Sequence, residues 1–257
     1  MRGGGADVRL SVAPLLPELF LAGLVVLWQL ASVAFKIPAW LLPSPAGIVQ
    51  SFVRFGSDLA WHTGVTLYET LAGMAAAVGV GVPLGILIAS SRLVSATLYP
   101  LLVVAQSIPK AAVAPLLLVW IGYGEAPKII IAFLVAFFPM VVNTAAGIAG
   151  TPPELLDLCR TLRASRWHTL RKVRLPAALP HLFSGAKVAV TLAVVGAVIG
   201  EFVGSDAGLG YLILFASSHM DTSLAFAAML LLAAMGIGLF AAVSALERRV
   251  MPWRPQP

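Results

Sequence analysis

The chain is poor in charge. Only 11% of its 257 residues are Asp, Glu, Lys or Arg, while 60% are hydrophobic and mean hydropathy is +0.95. Soluble domains carry about 25% charged residues, so this composition belongs in a bilayer. Cysteine is almost absent. Cys159 stands alone, which excludes an intrachain disulfide and a cysteine-based metal cluster. Enzyme signatures are missing too: no GxxxxGK[ST] phosphate loop, no GxSxG elbow and no HExxH pair, with His62, His168, His181 and His219 scattered. Glu201 has no nucleophile or metal set beside it, and reads as a polar gate residue or a structural carboxylate rather than a catalytic one. No enzyme active site and no metal or cofactor site is expected in this chain.

What the sequence does have is long apolar runs. A span needs ~20 apolar residues to cross a hydrocarbon core of ~30 Å, and six candidates meet this: Leu15–Phe35, Thr66–Ala89, Leu98–Ile121, Ile129–Ala149, Leu182–Val203 and Ser223–Leu246. The runs are continuous rather than alternating, which excludes a β-barrel. The expected fold is all-α: a polytopic helical membrane protein of about six transmembrane helices, with the lipid bilayer as its solvent. The first span lacks a small-x-small cleavage site and reads as a retained helix.

Basic residues orient the bundle. With the N-terminus inside, one side holds twelve of the seventeen Lys and Arg residues: Arg2, Arg9, Arg92, Arg160, Arg163, Arg166, Arg171, Lys172, Arg174, Arg248, Arg249 and Arg254. The other side holds Lys36, Arg54 and Lys128, while Lys110 and Lys187 lie within or beside spans. The positive-inside rule then places both termini and the central polar loop in the cytoplasm. The net charge of +6 is topological signal, and no nucleic-acid partner is expected.

Several local features stand out. Ser44 before Pro45 suits a helix start, and Ile48, Phe52 and Phe55 then recur at helical spacing, bracketed by Trp40 and Trp61. The third span carries Gln106, Ser107, Pro109, Lys110 and Pro115, and reads either as a kinked helix with a snorkelling lysine or as part of a translocation path. Asn143, Thr144 and Glu69 read as interhelical or interfacial groups. Gly81 with Gly85, and Gly196 with Gly200, form two GxxxG spacings that permit close packing.

The segment from Glu154 to Pro180 is too cationic for hydrocarbon and must be a loop in water. Thr151, Pro152 and Pro153 suit a helix start, and Leu155, Leu158 and Leu162 share a face. Ala164–Ser165 reads as a turn, and Trp167, Leu170 and Val173 begin a second helix that Pro176 closes. Such a hairpin either docks in a protein groove or packs under its own bundle.

This segment resembles the EAA loop of the inner-membrane permeases of bacterial ATP-binding-cassette (ABC) importers of the type I fold. Asp157, Leu158 and Cys159 stand at the Glu-Ala-Ala positions, Arg163 at the glycine, and Leu175-Pro176 at the Leu-Pro. The likeness extends over roughly residues 61–247, through SIP…APLLLVWIGYGEAPK, FFPMVVNT and EFVGSDAGLGYLI, and these segments are most similar to the nitrate, sulfonate and taurine branch, which includes carriers of vitamin precursors. The resemblance implies a domain at 61–247 with its coupling loop at about 150–181, an N-terminal helix and outer-face segment at 1–60, and a basic tail at 248–257. It implies a second permease copy or a similar partner permease, two cytoplasmic ATPase subunits that bind ATP and Mg, and an extracytoplasmic solute-binding protein. Asp157, Arg160, Leu162, Arg163, Arg166, Trp167, Leu175 and Pro176 would then couple to the ATPase, and Gln106, Ser107, Lys110, Asn143 and Glu201 would border the path. Asp157 shortens the family's glutamate by one methylene. If the bend at Arg163 requires positive φ, arginine costs about 1 kcal/mol relative to glycine there. The competing readings are an ion-driven carrier or channel using Lys110, Glu69 and Glu201, and a membrane scaffold without transport.

Overall fold

Small residues decide how closely the helices of this chain approach one another. The computed structural model describes residues 16–253, and no β-strand occurs among them. The helices are α1 (Leu16–Ala34), α2 (Pro45–Arg54), α3 (Gly56–Ser90), α4 (Arg92–Ser107), α5 (Lys110–Ile121), α6 (Glu125–Ala149), α7 (Pro153–Thr161), α8 (Arg166–Thr169), α9 (Leu175–Gly204), α10 (Leu209–Ser218) and α11 (Thr222–Val250). A π turn, Leu170–Arg174, joins α8 to α9, so Arg166–Gly204 is a single helical run of 39 residues.

The centre of the bundle is α3 and α9 packed on α6. A Cβ added at Gly85 would lie 2.6 Å from Cβ of Thr144, one at Gly196 would lie 2.6 Å from Cα of Ala132, and one at Gly200 would lie 2.8 Å from Cα of Lys128. Nothing larger than hydrogen fits at these crossings, so both GxxxG spacings are packing positions. Lipid tails are as apolar as leucine, and backbone-to-backbone contact of this kind is what favours helix association in a membrane.

The same contacts give direction. Gly73 faces Ala132, Gly81 faces Met140 and Gly85 faces Thr144, so α3 and α6 run parallel. Gly185 faces Asn143, Gly196 faces Ala132 and Gly200 faces Lys128, so α9 runs antiparallel to α6. Residues 91–124 must therefore carry the chain back from one end of the bundle to the other. They do so as two pieces, α4 and α5, bent by 91°. The single span expected at Leu98–Ile121 is thus a broken one. Pro109 lacks an N–H and pushes the residue before it out of the helical region, and Ile108 is extended, at φ −74° and ψ 124°.

Among the described residues, four helical runs are long and apolar enough to cross a membrane: Gly56–Ser90, Glu125–Ala149, Arg166–Gly204 and Thr222–Val250. The bent pair α4–α5 makes a fifth. The remaining expected span corresponds to α1, whose apolar part is shorter. Arg2, Arg9 and Arg254, on which the expected placement of both termini partly rests, lie outside the described residues. The second run begins ten residues before the expected Thr66, which puts Trp61 inside α3.

Around this centre, Ser44 caps α2, accepting from the Gly47 N–H at 3.1 Å, with Pro45 following as anticipated. Ile48 of α2 and Leu59 of α3 share a cluster with α10 and the first turns of α11. The short helix α10 was not evident from the sequence. Lys187 and Glu247 form an ion pair tying α9 to α11. Pro176 does not close the second hairpin helix, as expected from its sequence; it sits in the first turn of α9. The π turn absorbs it, because the Leu175 N–H reaches five residues back to the Leu170 carbonyl.

Replacing Gly196 or Gly200 by alanine should lower stability by about 1–3 kcal/mol through overpacking. Gly236, with open space around it, should accept alanine without loss. Thermal unfolding in detergent measures both; equal behaviour of the three variants would contradict the tight crossings.

Candidate functional site

Two polar constellations occupy opposite ends of the bundle, with a third at the break in its wall. The first is the hairpin between α6 and α9. Proline at its first position starts α7. The turn that ends α7 is a Schellman motif: the Ala164 N–H donates to the Cys159 carbonyl and the Arg163 N–H to the Arg160 carbonyl, each at 2.9 Å. That motif requires a left-handed residue, and Arg163 supplies it at φ +51°. The side chain at this bend therefore carries the strain that glycine would avoid, about 1 kcal/mol. Ser165 then caps α8 by accepting from the His168 N–H at 3.2 Å.

This turn chemistry leaves a ridge in the open. Leu158, Leu162 and Trp167 are 55%, 70% and 66% exposed, a high apolar exposure for a loop made of otherwise polar residues. Asp157 pairs with Arg160 at 2.7 Å on the surface. Leu175 and Pro176 lie at the foot of the hairpin, where it merges into α9.

At the break, the Lys110 Nζ donates to the carbonyl of Ala105 at 3.2 Å, the carbonyl of Gln106 at 2.6 Å and the Gln106 Oε1 at 3.0 Å. The ammonium thus satisfies the carbonyl end of α4, where a cation is favoured. Ser107 is bonded back to Val103. The structure brings Gln106, Ser107 and Lys110 together. Asn143 belongs to the α6–α9 crossing, with Nδ2 donating to the Pro139 carbonyl at 2.9 Å. Among the described residues, no hydrogen bond or ion pair joins Asn143 or Glu201 to the Lys110 group.

The other end constellation is buried opposite the hairpin. Lys128, in the first turns of α6, pairs with Glu69 of α3 at 2.5 Å. Its Nζ also donates to Ser205 at 3.0 Å. Glu201 of α9 accepts from the Thr66 hydroxyl at 2.6 Å and from the Gly210 N–H at 2.5 Å. Thr66 in turn accepts from the Leu209 N–H at 2.8 Å, and the Nδ1 of His62 accepts from the Gly208 N–H at 3.0 Å. Because a backbone N–H only donates, that imidazole nitrogen carries no proton. Gly208 sits at φ +108°, and a Cβ there would lie 2.1 Å from the Glu201 carboxylate. Only glycine fits this turn. The cluster therefore clasps the connection between α9 and α10 onto α3 and α6.

Lys128 corrects an expectation. The sequence groups it with Lys36 and Arg54 outside the spans, yet only 4% of it is exposed, because α6 begins at Glu125 and the glycine at position 200 brings α9 against it. The lone carboxylate of Glu69 within an apolar run was the available signal that a buried cation must stand nearby. Of the trio Lys110, Glu69 and Glu201 suggested for an ion-driven carrier, the structure unites only the two glutamates, with Lys128 in the place of Lys110.

Comparison with known proteins decides between the readings. The family model described as the inner-membrane component of binding-protein-dependent transport systems matches residues 81–252. The chain belongs to this family. A probable ABC transporter permease of Haemophilus influenzae is 39% identical over 93% of this chain and 98% of its own length. A riboflavin transport permease of Chloroflexus aurantiacus is 39% identical over 90% and 87%. Other relatives are named as permeases for formylaminopyrimidine, aliphatic sulfonates, taurine and nitrate. The methionine ABC transporter MetNI, in an inward-facing conformation, shares the fold with a TM-score of 0.66 over 77% of this chain and 98% of that one, at 21% identity. The protein is thus an ABC transporter permease subunit of the importer fold, and the ion-driven carrier is the weaker reading.

Removing one member of the permease's buried pair should expose its cost. Lys128→Met leaves Glu69 buried without its cation and should destabilise by about 3–5 kcal/mol. The double variant Lys128→Met/Glu69→Leu should regain more than half of that in thermal unfolding. Additive losses would show that the two side chains do not act as a pair.

Proposed function

We propose that the hairpin from Pro153 to Pro176 is the lever through which a separate ATPase drives this permease. Its exposed ridge carries the reading: leucine and tryptophan side chains with arginines around them, held by capped turns and rigidly continuous with α9. Leu162 and Trp167 would fill a groove on the ATPase, while Arg160, Arg163 and Arg166 would make charge-assisted contacts to it. Asp157 would hold Arg160 in place through their ion pair. Two ATPase subunits bind ATP and Mg in this scheme and approach from the cytoplasm, the side that the positive-inside asymmetry assigns to the hairpin. Counting Lys128 as buried strengthens that asymmetry.

A second copy of the permease would complete the path. No residue of α4 is buried, α5 buries only Ala114 and Leu117 against α6 and α9, and the exposed side that remains from Leu101 to Trp120, with Gln106, Ser107 and Lys110 at its bend, meets no partner among the described residues. Two such surfaces facing each other would form a channel with polar groups at the break, and Asn143 would border it from α6, while Glu201, buried in the clasp, stands back from it. The solute is a small molecule of the nitrate, sulfonate, taurine or vitamin-precursor kind, delivered by a solute-binding protein at the end that carries Glu201. The membrane is the bacterial cytoplasmic one.

Trp167→Ala and Leu162→Ala should each weaken ATPase binding by roughly 30-fold, as truncation of anchor residues does, with permease yield in the membrane unchanged. Two residues inserted after Ala164 should leave ATP hydrolysis running while solute uptake falls to background. Uptake and hydrolysis measured together in reconstituted complexes check this. Normal uptake with the insertion would remove the lever role.

A further inference from the structure

The hairpin has a second face, which shares Arg160, Arg166 and Trp167 with the ATPase reading and adds Arg174 and Ser90 to them. Leu155, Leu158 and Leu162 share one side of α7, whereas Leu156, Cys159 and Arg160 lie about 120° round the helix. This second side lines a cleft of about 670 Å³, closed by Ala164, Arg166, Trp167, Thr169, Leu170 and Arg174 of the hairpin and by Ser90 at the end of α3. Among the described residues, three guanidinium groups line the cleft and no carboxylate does. Arg160 is balanced by Asp157. Among the described residues, no ion pair neutralises Arg166 or Arg174. The Arg174 Nε is also out of solvent without a hydrogen-bond partner, a cost that an acceptor in the cleft would relieve. The carbonyl end of α3 at Ser90 offsets only about half an elementary charge, less than two unpaired arginines carry.

We propose that this cleft binds a phosphate ester, supplied by the headgroup of an anionic phospholipid. Guanidinium forks match phosphate oxygens, and basic pockets between spans at the cytoplasmic surface suit anionic headgroups. The hydroxyl of Ser90 adds a polar donor, whereas that of Thr169 is already given to the Ser165 carbonyl. Leu156, Leu170 and Trp167 give the cleft an apolar wall that a lipid can use and inorganic phosphate cannot. The bare apolar side of α4 begins two residues beyond Ser90, with Leu93 75% exposed, and offers a track for the acyl chains. A lipid held here would brace the hairpin against α3 on the side away from the leucine ridge. The inference rests on the permease reading only for the level at which the hairpin sits, and binding is read without any ATPase present.

The full-length permease in nanodiscs of equal phosphatidylglycerol and phosphatidylcholine provides the test, with bound lipid identified by native mass spectrometry. The wild type should retain phosphatidylglycerol selectively. Arg166→Gln/Arg174→Gln should reduce that selectivity roughly tenfold or more. Ser90→Glu, which keeps every arginine and adds a repelling charge at an exposed helix end, should reduce it likewise. Thermal unfolding of each variant controls for folding. Equal lipid retention by the wild type and Ser90→Glu overturns the proposal. In lipid-free detergent, stabilisation of the wild type by inorganic phosphate as strong as that by phosphatidylglycerol overturns the lipid as source. If adding the ATPase subunit expels phosphatidylglycerol from the wild type, the cleft belongs to the protein interface and the lipid assignment falls.

Discussion

The structure depends on the contact of bare backbone between α3, α6 and α9. In water, burial of apolar surface would hold such helices together at about 25 cal/mol per Å²; within lipid that gain is absent between one apolar surface and another. What remains is dispersion across very short distances, and glycine and alanine supply it by letting main chains meet. Gly73, Gly85, Gly196 and Gly200 each lie where a methyl group would collide with the neighbouring helix. That closeness also sets the electrostatics: with α9 pressed on Lys128, the side chain has nowhere to go but toward Glu69 and Ser205.

One consequence is that the two ends of the bundle are built differently. The hairpin end is held by local chemistry, each turn closed by its own caps, and its polar side chains point outward. The opposite end is held by long-range chemistry, in which α3, α6 and α9 each contribute an ionisable group to a buried cluster. A single lysine cannot balance two carboxylates, so Glu201 depends on the Thr66 hydroxyl and the Gly210 N–H instead. Desolvated charge of this sort is tolerated only where such donors are fixed in place.

The division also explains what could be read from the residues. The hairpin was partly legible: its start at Pro153 follows from neighbours in sequence, its left-handed residue falls just before the expected turn at Ala164–Ser165, and a positive φ at Arg163 was posed only as a condition by the family resemblance. The glycine spacings and the capped helix after Ser44 were legible for the same reason. The buried cluster was not, since Thr66 and Glu201 are 135 residues apart and no local pattern announces their contact. Pro109 signalled a disturbance without revealing a right-angled break, because the size of a bend depends on what packs around it. Pro176 misled, as proline ordinarily marks a helix end and the wide turn that accommodates it leaves no trace in the apolar periodicity.

The run from Arg166 to Gly204 joins the two ends. At about 1.5 Å per residue, its 39 residues reach ~58 Å, with Trp167 near one tip and Glu201 near the other. Any swivel imposed at the tryptophan travels along one rod, interrupted only by the five-residue wide turn, to the carboxylate that fastens the α9–α10 connection. Hairpin tip and latch in this molecule are the two ends of the same shaft.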